Sequence, residues 1–413
     1  VWFWRRYRCV RLPRRLQRLG KEYAGSFRNG NRYRGRADPG VLRSAAGGMR
    51  DRPVRPRDPM ARPHRSRVAM VAAFATRQGE HPGRSAWDLG VEAYAGALRE
   101  SGIDRARIDG LLTQTLQDRS GVMDATRFGQ MIGLNPAASG SLQYGTAPFT
   151  IAYAAGLIES GQCSLVACVY ATNQRTAQYR FAYATDPFGA PYGFLNPAGF
   201  AGLGFQRYLH AYGRLSDRDK VGALAIAMRK YAAMNPIAFR REPMSWDDYL
   251  ADRWIVWPLR RSDICLITDG AVCLILADAE LARDLVERPV DLLGIGRQDA
   301  LRMLENEDHL LVPHMKESAR KVREASGIGP ADVDALYVQD AHAPAVLLSL
   351  EHYGFCGEGE ALDFIQDGRI EPGGALPLNT SGGQLSEGYM VGWLHHVELF
   401  RQLRGEAGPR QVP

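Results

Sequence analysis

From Val68 onward, two kinds of apolar pattern alternate along the chain. Continuous apolar runs predict buried strands at Val68–Ala73, Leu165–Ala171 and Ile267–Ala277. Shorter runs predict strands at Leu111–Thr115, Val290–Ile295 and Leu336–Val338. Helical stretches lie between them. Ser85 is placed to cap a helix through Arg99, with Asp88 three residues on and Gly102 as the stop. Further helices are expected over Tyr144–Ser160, Glu280–Val286, Val312–Ala325, Pro344–Tyr353 and, as one long element, Leu385–Arg404. The alternation predicts an α/β fold with mostly parallel sheets covered by helices.

Residues 173–262 interrupt the alternation. They are rich in Tyr, Phe, Gly and Pro as far as Phe205 and helical beyond it, and they read as an insertion that shapes a pocket. An internal echo divides what remains. Gly102-Ile-Asp-Arg-Ala-Arg-Ile-Asp-Gly-Leu-Leu-Thr-Gln114 matches Gly327-Ile-Gly-Pro-Ala-Asp-Val-Asp-Ala-Leu-Tyr-Val-Gln339 at six of thirteen positions without a gap. Each copy leaves a predicted helix and enters a predicted strand, which points to two duplicated βαβα halves, 67–285 and 286–413.

Charge separates residues 1–66 from the rest. Of the 52 basic and 45 acidic residues, 20 and 4 fall in residues 1–67, leaving 32 and 41 for the body, a net of −9. The net charge of +7 therefore belongs to the leader and gives no support to nucleic-acid binding by the body. The leader is Arg-rich and acid-poor, as a transit peptide or a basic arm would be, but it carries no apolar periodicity. It reads as upstream sequence outside the fold, with a start near Met60 or Met70. No apolar run is long enough to span a membrane. Cys9, Cys163, Cys168, Cys265, Cys273 and Cys356 show no metal-ligand spacing. Three of them, Cys168, Cys265 and Cys273, read as buried free thiols, consistent with the cytoplasm. His395-His396 does not suit a metal either, because helix neighbours diverge by about 100°.

The densest chemical signal is Asn379-Thr380-Ser381-Gly382-Gly383-Gln384-Leu385-Ser386-Glu387-Gly388-Tyr389. A Gly-rich turn running into a helix can bring backbone N–H groups to an anionic oxygen at the positive helix end. Asn379, Ser381, Gly382 and Gly383 are expected to build that scaffold, and Tyr389 to donate to the oxygen. Upstream, Tyr337, Gln339, Asp340 and His342 form a second polar group, in which Asp340 could orient His342 as a base. The pairs Arg240-Arg241 and Arg260-Arg261 are candidate contacts for phosphate groups.

From Val68 to its end the chain resembles the thiolase-like lipid-transfer proteins, related to the thiolase part of sterol carrier protein x and to bacterial steroid side-chain aldolases. The resemblance rests on the turn above and on several other segments. Among them are Arg207-Tyr-Leu-His-Ala-Tyr-Gly213, Ala233-Met-Asn-Pro-Ile-Ala238, Pro258-Leu-Arg-Arg-Ser-Asp-Ile-Cys-Leu-Ile-Thr-Asp-Gly-Ala271 and Leu350-Glu-His-Tyr-Gly-Phe-Cys-Gly357. It implies a thiolase-like fold and a coenzyme A thioester as substrate, with no cofactor beyond it. A thiolase places its nucleophilic Cys at the start of the first-half helix; here that position is Tyr144, followed by Gly145. A thiolase has His where Tyr389 stands, and the aldolase-like branch has Tyr. That branch has a second Tyr where this chain has Gln339. The activity implied is retro-aldol cleavage of a β-hydroxyacyl-CoA; a thiolase-type acyltransferase and a non-catalytic acyl-CoA-binding subunit are the alternatives. A homodimer and a small zinc-ribbon/OB-fold partner are also implied. Thiolases carry two further strands after the last helix, so in a sequence ending at Pro413 the expectation is either a truncated sequence or an incomplete second sheet.

Overall fold

The computed structural model describes residues 66–115, 123–143, 146–178, 196–298, 311–313 and 315–413. The leader through residue 65, together with Tyr144 and Gly145, lies outside the described residues. The first half runs β1 (Val68–Ala75), α1 (Ala86–Ser101), β2 (Gly110–Thr115), α2 (Ala125–Met131), β3 (Ala138–Gln143), α3 (Ala147–Glu159) and β4 (Leu165–Thr172). The insertion supplies α4 (Pro197–Ala211), α5 (Gly222–Ala233), α6 (Trp246–Ala251) and a small hairpin, β5 (Trp254–Val256) with β6 (Leu259–Arg260). Then follow β7 (Gly270–Asp278), α7 (Ala279–Leu285), β8 (Val290–Asp291), α8 (Met315–Ser326), α9 (Ala343–His352), α10 (Ala361–Phe364), α11 (Gly383–Ser386) and α12 (Trp393–Arg404).

Six strands form one sheet in the order β3-β2-β4-β7-β1-β8. It is mixed. Strand β2 pairs in parallel with β3 and β4, and β7 is antiparallel to both β4 and β1. Every residue of β4 is buried, and its side chains alternate between two cores. Val166, Cys168 and Tyr170 face α3 and α12, packing with Ile151, Ala154, Trp393 and Val397. Leu165, Ala167 and Val169 face the layer of α1, packing with Leu89, Ala93 and Tyr94. Helix α1 starts as the sequence predicts, with a reciprocal Ser85–Asp88 capping box and a left-handed Gly102 cap.

The duplication is visible in local hydrogen bonding. At the end of α1, Ser101 Oγ donates to Ala97 O and Gly102 N to Leu98 O, and Ser101 Oγ accepts from Ile103 N. At the end of α8, Ser326 Oγ donates to Val322 O and Gly327 N to Arg323 O, and Ser326 Oγ accepts from Ile328 N. Each copy then passes through one 3-10 turn, Arg105–Arg107 or Pro330–Asp332. The first enters β2. The second enters an extended run that pairs, among the described residues, through the parallel bridge Leu336–Leu378 and, at its end, the antiparallel bridge Ile264–His342.

The structure corrects several expectations. The proposed long helix Leu385–Arg404 is two pieces, α11 and α12, separated by a bend in which Val391 (φ 48°) and Gly392 (φ 82°) are left-handed. The Tyr144–Ser160 helix begins at Ala147 with Thr146 as its N-cap, and the Val290–Ile295 strand shortens to β8. Strand β3 and helix α2 carry little apolar pattern and were not predicted. The insertion is more than a pocket loop: Phe205, Tyr208 and Leu224 from α4 and α5 share a third core with Val346, Leu347 and Leu378 of the second half. Among the described residues no helix is long and apolar enough to cross a membrane.

Candidate active site

The Gly-rich turn is held in place by the extended run before α9. Asn379 is fully buried with φ 46°, and its side chain takes the place of a missing strand partner. Its Oδ1 accepts from Val338 N at 2.9 Å and its Nδ2 donates to Val338 O at 3.0 Å. This stitching sets the start of α11 against Asp340. The Asp340 carboxylate, itself fully buried, accepts from Gln384 N (3.0 Å), Leu385 N (3.4 Å) and Gln384 Nε2 (3.3 Å). The amides expected to face a substrate oxygen are therefore largely committed within the protein. Gly382 N closes the turn on Asn379 O at 2.9 Å, and the amides after Gly383 hold Asp340.

Gly383 has φ 58°, and a Cβ there would lie 2.0 Å from Asp340 Oδ2. Gly373 has φ 78° with nothing within 4 Å of its would-be Cβ. Gly373→Ala is expected to cost only the left-handed penalty, about 1–2 kcal/mol. Gly383→Ala adds displacement of a buried carboxylate, so its melting temperature should fall well below that of Gly373→Ala in parallel thermal scans.

Asp340 has a second neighbour that the sequence did not disclose. His395 projects from the first turn of α12, and its Nε2 lies 3.2 Å from Asp340 Oδ1, with both side chains buried. The approach is a close contact without hydrogen-bond geometry: neither ring nitrogen of His395 has a hydrogen-bond partner among the described residues. His395, Gln339, Tyr337, Gly392 and Thr146 line a cavity of about 350 Å³ at the N-terminal end of α3. The readable signal was periodicity: His395, Glu398 and Gln402 put polar groups on the inward stripe of an amphipathic helix.

His342, expected to partner Asp340, does not. It is the N-cap of α9, makes no side-chain cap and leaves Nδ1 unpartnered. Burial pushes its pKa down to about 4, outweighing the Asp340 charge, so the ring is neutral at pH 7. Tyr337 hydrogen-bonds Thr380 Oγ1 at 2.7 Å, and Thr380 in turn donates to Glu398 at 3.0 Å. Its hydroxyl thus belongs to a buried polar network, and burial raises its pKa. Gln339 Nε2 reaches Gln384 Oε1 at 3.5 Å. The carbonyl of Ser381 accepts from Asn235 Nδ2 at 2.9 Å, and the same amide donates to Glu387 at 3.0 Å. Glu387 is buried, and desolvation lifts it to about 7.

Tyr389 sits in the bend between α11 and α12, half-buried, rather than at a helix start. Its backbone N donates to Thr268 Oγ1 at 3.0 Å, and Tyr389 is not among the described residues that line the cavity. The bend docks onto the start of α3 through Ala147 N and Val391 O, 3.1 Å apart. No cysteine is among those lining residues. Burial drives Cys265 and Cys356 up to about 12 and raises Cys163, Cys168 and Cys273 as well, the wrong direction for a nucleophile. Among the described residues no group of His, Cys, Asp and Glu is arranged to hold a metal ion.

A duplicated helix–turn–strand unit, a helix-covered sheet and a Gly-rich turn entering the last helices define a thiolase-type α/β protein. Comparison with known proteins specifies it further. Residues 296–413 match the family described as thiolase C-terminal domain-like. The chain is 37% identical over 358 residues to the "17-hydroxy-3-oxo-4-pregnene-20-carboxyl-CoA lyase" of Mycobacterium tuberculosis, covering 82% of this chain and 92% of that protein. It is 33% identical over 358 residues to a "Steroid side-chain-cleaving aldolase" of Thermomonospora curvata, with coverage of 82% and 90%. A solved structure titled "Ltp2-ChsH2(DUF35) aldolase" superposes with a TM-score of 0.75 at 32% identity, over 83% of this chain and 91% of that one. The chain belongs to the thiolase superfamily, in the sterol-carrier-type branch that includes steroid side-chain-cleaving aldolases.

Proposed function

We propose that this chain is a carbon–carbon lyase that cleaves a β-hydroxyacyl-CoA by retro-aldol chemistry, the acyl group being the side chain of a steroid or another bulky lipid. The observation that carries this reading is a site with an imidazole beside a carboxylate and no thiol among its described lining residues. Acyl transfer through a covalent thioester needs an activated Cys, whereas a retro-aldol step needs an acid–base group and donors for an enolate. The names of the two relatives at 37% and 33% identity agree with the second chemistry.

In this mechanism a base removes the β-hydroxyl proton. The oxygen lone pair forms the new carbonyl as the Cα–Cβ bond breaks, and the electron pair passes into a thioester enolate. Protonation at Cα then releases the shortened acyl-CoA. The step is redox neutral. His395 is the group lining the cavity suited to take the first proton: the Asp340 carboxylate lies 3.2 Å from Nε2 and no hydrogen bond within the protein occupies either ring nitrogen among the described residues. Tyr389 is not among the described residues that line that cavity, and its role as donor to the enolate oxygen rests on the family resemblance, in which Tyr replaces the thiolase His. His342 and Tyr337, the other candidate bases, are better suited to structural roles, given their burial and bonding.

The reading extends to assembly and location. The two-component title of the aldolase neighbour supports a small partner, which we take to be a zinc-ribbon/OB-fold protein. Strand β3 is an edge of the sheet, which supports a homodimer formed there. The five free cysteines among the described residues suit the cytoplasm.

The test incubates the chain, with and without a co-encoded zinc-ribbon partner, with a panel of β-hydroxyacyl-CoA esters, and follows carbonyl and thioester products by mass spectrometry. Cleavage is expected, and Tyr389→Phe should lower kcat/KM by about 10²–10³, the cost of one oxyanion donor. CoA-ester binding without cleavage would point to a supporting subunit, and acyl transfer would overturn the lyase reading.

A further inference from the structure

Two buried glutamates flank the Gly-rich turn, and the fold treats them differently. Glu398 accepts from the Arg410 guanidinium at both oxygens and from Thr380 Oγ1 and Gln402 Nε2. Glu387 is as deeply buried but, among the described residues, accepts one side-chain hydrogen bond, from Asn235 Nδ2 to Oε1 at 3.0 Å. Its Oε2 has no partner. The cations on this side are turned to its neighbour: Arg229 Nε of α5 donates to Ser386 Oγ, and Arg240 N to Ser386 O. Burial lifts the Glu387 carboxyl to about 7. The Glu398 charge acts in the same direction, while the Ser381 hydroxyl, Asn235 and His395 favour the ionised form.

Other buried polar atoms without partners gather around the same short helix. They are Ser381 Oγ, both ring nitrogens of His395, and Gln78 Oε1, which lies 2.7 Å from the place a Cβ would take on Gly388. The Asn235 amide that holds Glu387 also holds Ser381 O, at 2.9 Å. Glu387 N bonds Gly383 O at 2.8 Å, so its residue stands one helical turn from the Gln384 and Leu385 amides that hold Asp340. Helix α11 therefore has Asp340 at its start and Glu387 at its end. His395 lies against the first carboxylate, and its charge is felt at the second. Asp340 already accepts three bonds from α11, whereas Glu387 has only the one from Asn235.

We propose that Glu387 is the positioning carboxylate of the His395 base: its buried charge, short of donors and of a cation, is balanced by the imidazolium that forms when His395 takes the substrate's proton. The role in the reaction rests on the lyase reading; the coupling of the two residues does not. In the transfer the O–H bond of the β-hydroxyl breaks and an N–H bond forms on His395. Glu387 exchanges no proton with the substrate and acts through its charge alone. A buried carboxylate without a counter-ion is costly, and a cation formed beside it removes part of that cost. The sign follows: an ionised Glu387 makes protonation of His395 more favourable, and a neutral side chain in its place makes it less so. Glu398 does not supply this charge, because Arg410 already neutralises it.

Carbon-13 labelling of the glutamate carboxyls in the full chain tests the coupling without any substrate. A carboxyl titrating near neutral pH is expected in the parent and absent in Glu387→Gln. In His395→Gln it should move to higher pH by about one unit, because the cation that favours its charge is gone. In cleavage assays Glu387→Gln should lower kcat/KM about tenfold and move the acid limb of the pH profile to lower pH by about one unit. Its melting temperature at pH 8 should be no lower than the parent's. Folding favours the protonated carboxyl, so the charge costs stability as pH rises from the usual 4.5 to about 7, and Gln removes that charge. A parent with no carboxyl titrating near neutrality, readable even if Glu387→Gln fails to fold, would overturn the proposal. So would a titration that His395→Gln leaves unmoved, or a fall in kcat/KM with the acid limb in place. Coupled titration in a protein that cleaves nothing keeps the pair and removes the lyase. Cleavage with uncoupled titration removes the role of Glu387 alone.

Discussion

Glu398→Ala is expected to destabilise the protein by about 3–5 kcal/mol, the cost of leaving a buried charge without its partner. Glu398 and Arg410 are 2% and 4% exposed at the side chain and meet in a two-point pair, Nε to Oε1 and Nη2 to Oε2, each 3.0 Å. The same carboxylate accepts from Thr380 Oγ1 and from Gln402 Nε2, while Arg410 Nη1 is held by Met234 O. Removing Glu398 leaves Arg410 buried and loosens Thr380, which carries the Tyr337 hydroxyl next to the Gly-rich turn. The double change Glu398→Met with Arg410→Met should recover most of the loss, because it removes both desolvation penalties at similar volume. Denaturant midpoints of the parent, the single variant and the double variant decide the matter. A single variant within about 0.5 kcal/mol of the parent would mean that water reaches the pair.

His395→Gln is expected to lower kcat/KM for cleavage by about 10²–10⁴, the usual contribution of a positioned acid–base group. Its folding stability should stay close to the parent's. Asp340 keeps its bonds from Gln384 and Leu385, so losing the imidazole does not strand the carboxylate. The substitution also retains polar capacity at nearly the same volume. The pH–rate profile carries the sharper information. If His395 is the base, its ionisation limb disappears in the variant while KM for the coenzyme A ester holds. A matched fall in kcat and stability would show that His395 only packs against Asp340. His342→Gln serves as the comparison, because a ring already neutral and lodged at a helix start should contribute little to the profile.

These two predictions lie on different links of one chain of causes. The Glu398 pair fixes where α12 sits relative to the Gly-rich turn, through Thr380. The placement of α12 in turn brings His395 to Asp340. A loss at the first link should therefore also reduce activity at temperatures where the protein is still folded, and a loss at the second should leave the fold intact.

Local chemistry determined what the sequence reveals on its own. Strands β4 and β7 are apolar on both faces because both are covered by helices, so their burial is written residue by residue. The Ser85 box and the Gly102 stop are contacts between near neighbours, and the duplication shows because it repeats the same local hydrogen bonds. The Gly382-Gly383 turn and the absence of a thiol near Tyr144 are equally direct statements of sequence. What the tertiary structure decided involves groups far apart in the chain. The apolar spacing from Leu385 to Arg404 suits one helix, yet docking of the bend against Thr268 and the start of α3 breaks it in two. Asp340 meets His395 rather than the nearby His342 because α9 begins immediately after His342 and α12 folds back across the turn. Arg240 and Arg260 read alike as sequence; only the packing around them gives the Arg260 guanidinium the carbonyls of Leu250 and Asp252 and sets Arg240 against the turn through its backbone bond to Ser386. Periodicity records which face of an element is buried, while charge pairing and the shape of a site depend on which faces meet.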